Sequence, residues 1–134
     1  MSKHDLEDRL VQFTVAVMQL AEQLPNSKIG HQLSLRMIKS SSTASSNYAR
    51  AQSAENRKFF VRQLKLVLKE LRKTNDSLKA MDGLSPLPDF DSLHDILKET
   101  DELIAIFVTS VRTAMQNDAL AKRFLKKVRI RKDK

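Results

Sequence analysis

The chain has 134 residues, with 24 Lys and Arg against 16 Asp and Glu, a net charge of +8 and no cysteine. One domain of this size can bury a substantial core, while disulfide frameworks and thiolate metal sites are excluded. Only 2 Gly and 3 Pro interrupt it and no long β-branched alternation occurs, so the chain reads as all-α.

The longest apolar run falls short of the roughly 18–20 residues that a membrane span needs. The opening Met1-Ser2-Lys3-His4-Asp5 turns charged at once and holds no signal-peptide core. These features predict a cytoplasmic protein that does not enter the membrane. Charge is blocked along the chain: −2 over residues 1–27, +9 over 28–79, −5 over 80–117 and +6 over 118–134. Blocks of alternating sign favour polyanions or self-association.

The first helix is predicted from about Asp5 to Leu24. Leu6, Leu10, Phe13, Val17, Leu20 and Leu24 form one stripe at helical spacing. Val11, Val15 and Met18 form a second apolar patch on nearly the opposite side. A helix in a lone bundle needs one apolar face, so the second patch is either scattered surface or a contact with another subunit. Leu24-Pro25-Asn26-Ser27 then ends one helix and caps the next.

The second helix is predicted to run to about Gln52, straight through the seven small residues Ser40 to Ser46. Composition alone would make that run a flexible linker. Period argues otherwise, because Ile29, Leu33, Arg36, Met37, Ser40, Ala44, Asn47 and Ala51 recur at three- and four-residue steps. Neither Gly nor Pro occurs in the run. It reads as a helix with a narrow waist.

The third helix, about Ala54 to Met81 with Ser53 as its cap and Glu55 in its first turn, is sharply two-faced. Phe60, Leu64, Val67, Leu71 and Leu78 mark the inner face, and Lys58, Arg62, Lys65, Lys69 and Arg72 the opposite one. These five cations are either solvated surface or a stripe for phosphates. After the loop Asp82–Asp89, the fourth helix begins near Asp91 or Ser92, with Asp95 in a capping-box-like position. Its inward stripe is Leu93, Leu97, Ile104, Phe107, Val111 and Met115; Asp91, Asp95, Glu99 and Glu102 line the outward one. A positive third helix and a negative fourth could meet between subunits in a head-to-tail ring. Candidate interface residues are therefore Val11, Val15, Met18, Asp95, Glu99 and Glu102.

Residues 118–134 carry 8 cations and 2 acids. Leu120, Phe124, Leu125 and Val128 extend the fourth helix, while the end from Arg129 to Lys132 looks frayed. Lys122, Arg123, Lys126, Lys127, Arg129 and Arg131 join the candidate phosphate contacts. The expectation is an all-α, antiparallel up-down four-helix bundle over residues 1–117 with a basic C-terminal extension over 118–134.

Catalytic chemistry is absent from the pattern. His4, His31 and His94 lie far apart, and Asp91-x-x-His94 has no twin of the kind that a carboxylate-bridged metal bundle requires. With Gly only at 30 and 83 no phosphate loop is possible, and one Tyr with no Trp leaves no stacking platform. No enzyme activity, metal or cofactor is expected.

Leu24-Pro25, Gly30, Gln32-Leu33, Arg36, the small-residue run and Asn47-Tyr48-Ala49 together resemble one bacterial family. Phe60 with Leu64, Leu68-Lys69-Glu70-Leu71-Arg72, and Glu102-Leu103-Ile104 with Phe107 and Val111 extend the likeness over roughly residues 6–116. It is the family of four-helix-bundle proteins first noticed in intervening sequences of 23S ribosomal RNA genes. The resemblance implies a bundle that assembles into a ring, a pentamer favoured, without enzymatic activity. Accessory proteins of diversity-generating retroelements look similar; they form basic barrels that bind a reverse transcriptase and nucleic acid. The chain departs from the family at Arg50 and Lys73, where relatives usually carry Glu, and at Asp76-Ser77, where an aromatic pair is common. The reading is a non-enzymatic homo-oligomeric scaffold that binds nucleic acid, RNA ahead of DNA, through phosphates. The alternative is a protein-interaction module whose charged faces build the ring and dock a protein partner.

Overall fold

The computed structural model describes residues 3–84 and 90–132. Four helices follow in order, α1 (Lys3–Ala21), α2 (Lys28–Gln52), α3 (Arg57–Asp82) and α4 (Phe90–Lys132), with no strand among the described residues. Each packs on its neighbour in sequence and α4 returns to α1, whereas the diagonal pairs α1/α3 and α2/α4 do not approach. This is the square section of an up-down bundle. Most of the loop expected over Asp82–Asp89 lies outside the described residues, which stop at Leu84 and resume at Phe90.

Sequence chemistry sets each helix end. Ser27 caps α2, its hydroxyl accepting from the Gly30 amide at 3.1 Å. Gly30 is required there for space, because a Cβ would stand 2.2 Å from the Pro25 carbonyl oxygen. Ser53 does not cap α3 as its position suggests. It closes α2 instead, its amide bonded back to the Ala49 carbonyl and its hydroxyl to those of Ala49 and Arg50. Asn56 is the cap of α3 and accepts from the Phe59 amide at 2.8 Å, so Glu55 precedes the helix rather than sitting in its first turn.

The Ser-rich run is helix throughout, as its period predicts. Ser40, Ser41, Ala44 and Asn47 are buried, and Ser40 Oγ meets Thr74 Oγ1 of α3 at 2.6 Å. Thr74 in turn donates to the Glu70 carbonyl, so both buried hydroxyls are satisfied when Ser40 donates to Thr74. The waist is a close helix–helix approach locked by one polar pair. Further along, Tyr48 and Phe107 meet edge to face across the core, with ring centroids 5.5 Å apart.

The apolar stripes mostly point where expected, with three corrections. Ile29 is exposed, since it precedes the point where α2 meets the core. Arg36 is exposed too, keeping its charge in water beside buried Met37. Met115 is exposed because the bundle ends at Ala114, the last buried side chain of α4. With 43 residues against 26 in α3, α4 is about 65 Å long and overhangs its partner. Its helix runs unbroken to Lys132, so the end expected to fray does not.

Candidate nucleic-acid interface

Lys58, Arg62, Lys65, Lys69 and Arg72 are all exposed on one face of α3. They span about 21 Å of helix. Leu64, Val67, Leu71 and Leu78 are buried on the opposite side and hold that face outward. Ion pairs among the described residues fall elsewhere, joining Arg9 to Glu99 and Glu102, and Lys73 to Glu70. Arg123, Lys126 and Lys127 are exposed on the overhang of α4. The side chains of Lys122, Arg129 and Arg131 lie outside the described residues.

The stripe is not a flat face. Near its start, Lys58, Arg62 and Lys65 edge a depression of about 760 Å³ whose other walls include Phe59, Val61 and Met115. α3 supplies the first two of these and the overhang of α4 the third. A smaller hollow of about 280 Å³ between α2 and α3 gathers Arg36, Lys39, Lys73 and Glu70. These three cations were not among the sequence candidates, because they come from different helices and only the fold brings them together. Lys73 lies 3.3 Å from Glu70, one turn earlier on the same helix. Arg50 donates to Asn47 Oδ1 at 3.4 Å. The two cations that stand where relatives usually have acids are thus both tethered locally.

The fold has a solved counterpart. A protein of unknown function from the S23 ribosomal protein family of Bacteroides thetaiotaomicron is similar, with a TM-score of 0.73 and 20% identity. The alignment covers 84% of this chain and 99% of that one. The likeness is one of fold. No protein-family model and no curated protein matches this chain.

The acidic face of α4 is arranged differently from the expectation. Asp95 and Glu102 are exposed and Glu99 is half-buried. Arg9 of α1 reaches across the seam, donating through Nε to Glu99 Oε2 at 2.9 Å and through Nη2 to Glu102 Oε2 at 2.6 Å. The two carboxylates raise the Arg9 pKa, against the opposing effect of burial. Two of the three acids assigned to a neighbouring subunit are therefore already paired within their own. Spacing could not reveal this, since Arg9 and Glu99 lie 90 residues apart.

Val11, Val15 and Met18 are exposed, so α1 does carry a second apolar face. His94 and Asp91 are exposed at the start of α4. Among the described residues no group of three His, Cys, Asp or Glu could hold a metal ion, and no helix is long and apolar enough to cross a membrane.

Proposed function

We propose that this protein is a non-enzymatic, homo-oligomeric helical scaffold that binds nucleic acid by phosphate contacts and works in the cytoplasm. The observation that carries this reading is the row of five exposed cations on α3, whose charges meet no acid among the ion pairs of the described residues. Arg36, Lys39 and Lys73 broaden that surface toward α2, and Arg123, Lys126 and Lys127 extend it along α4. With no aromatic platform to stack bases, affinity rests on counterion release and carries little sequence preference. The preference for RNA, and a place in the 23S ribosomal RNA intervening-sequence family, rest on the sequence resemblance and on a counterpart whose family bears a ribosomal name.

Fluorescence anisotropy with a single-stranded RNA tests the reading. Five phosphate contacts give a slope of about −3.5 in log affinity against log salt, or about a hundredfold loss between roughly 50 and 200 mM. Lys69→Glu with Arg72→Glu should bring the slope to about −2. Affinity that hardly moves over that range overturns the phosphate mechanism. Binding too weak to measure at low salt transfers the function to the second reading, a protein-interaction module, which the exposed face of α1 favours.

A further inference from the structure

We infer that the cleft between the start of α3 and the overhang of α4 receives the outer face of α1 from a second copy of this chain. The inference rests on the homo-oligomeric part of the proposed function and supplies the interface that it lacks. Apolar surface is open in the cleft, with Phe59 38% and Met115 47% exposed beside Val61. Lys58, Arg62 and Lys65 border it and are also exposed. Lys58 and Lys65 are two turns apart, about 10 Å. A fitting occupant brings an apolar ridge of that length with acids alongside.

One surface of this molecule meets both conditions. Val11, Val15 and Met18 are 46%, 40% and 41% exposed at steps of four and three, a ridge of about 10 Å. Exposed Asp8 and Glu22 flank it at its two ends. Arg9 projects from the other side of α1 and is held by Glu99 and Glu102, so it does not dilute that negative flank.

The other exposed apolar side chains fail on charge or position. Leu120 and Phe124 stand among Arg123, Lys126 and Lys127, which the cationic rim would repel. Ile29 and Leu35 lie six residues apart, on different faces of α2, near Lys28, Arg36 and Lys39. α4 shows no large exposed apolar side chain among its described residues before Met115, so its acids have no ridge to accompany.

Ridge and cleft occupy different sides of one bundle, because α1 does not touch α3. Each copy therefore offers a ridge to one neighbour and a cleft to another. This is a heterologous contact, which propagates until it closes as a ring. In that assembly Lys58 and Lys65 face carboxylates, while Lys69 and Arg72 stay open to nucleic acid.

A chain without cysteine suits a disulfide test. Full-length Val15→Cys protein is mixed with Val61→Cys or Met115→Cys protein and oxidised. A mixed disulfide dimer is expected with at least one partner, and a Val15→Asp variant of unchanged helix content should lose mass in light scattering. The inference is overturned when the wild type is oligomeric yet no mixed dimer forms, or when Val15→Asp keeps the wild-type mass. A monomeric wild type overturns the homo-oligomeric reading as well, so the two failures are distinguishable.

Discussion

Replacing Gly by Ala inside a helix ordinarily stabilises it by about 1 kcal/mol. At Gly30 the sign should reverse. The new Cβ would stand 2.2 Å from the Pro25 carbonyl oxygen and 3.2 Å from Ser27 Oγ. Normal contact requires a shift on the order of 1 Å, and the obstructing oxygen is backbone. That oxygen also accepts the Ser27 amide at 2.8 Å, and Ser27 caps α2 through the Gly30 amide at 3.1 Å. Moving the turn puts the cap at risk, about 1 kcal/mol, and a backbone hydrogen bond, about 1 kcal/mol more. Residual overpacking adds about 1–3 kcal/mol. Against the propensity gain, the net loss should be about 1–3 kcal/mol. Equilibrium urea unfolding reads it as a lower midpoint at constant m. Gly83→Ala is the control, since its Cβ would meet only the Ala80 carbonyl at 3.3 Å and its φ is −77°. A Gly30→Ala protein as stable as the wild type would show that the turn is not built around the missing Cβ.

Ser40→Val removes one hydroxyl of the buried α2–α3 pair; in a double-mutant cycle with Thr74→Val the coupling should be about 1 kcal/mol, and strict additivity would remove that pair from the account of the waist. Arg9→Gln releases α4 from α1 and should cost about 0.5–1 kcal/mol at low salt, less at high salt, because the partners are partly exposed; a loss indifferent to salt contradicts an ionic role. Tyr48 is the sole tyrosine, so phenolate absorbance follows it directly. Burial, then the Glu7 charge, raise its pKa against a lowering hydrogen bond from Gln52, so its midpoint should lie above the ordinary value of about 10. The folded state then keeps the phenol proton longer than the unfolded state, and stability should fall as pH rises from about 10 toward the folded pKa; a midpoint at or below 10 refutes this.

Helix identity and the inward faces were legible because burial imposes a period that composition cannot hide. The Ser-rich run shows this best: its residues resemble a linker, yet their spacing puts Ser40, Ala44 and Asn47 on one buried line. Helix ends were less legible where two polar residues compete. Ser53 and Asn56 are both good caps, and the choice fell to Asn56 because Ser53 already closes α2 through Ala49 and Arg50. What spacing could not supply was the partner of each charge. The stripe on α3 was readable from one helix alone. The hollow holding Arg36, Lys39 and Lys73, and the reach of Arg9 to Glu99, arise between helices that only the fold makes adjacent.

That clamp bears on how an assembly could hold together. A basic α3 meeting an acidic α4 of the next subunit would draw on Asp95, Glu99 and Glu102, but Arg9 already holds the last two. Recruiting them would break pairs within a subunit to form pairs between subunits, with little net gain at exposed positions. The flank of α1 carries no such debt, and it adds apolar area, which salt does not screen. The two uses of the α3 stripe then separate along its length. Reversing Lys58 and Lys65 should weaken assembly first, and reversing Lys69 and Arg72 should weaken nucleic-acid binding first. Light scattering and anisotropy on the same two double mutants decide between this division and a stripe that serves one purpose along its whole length; identical effects from both pairs would favour the single purpose.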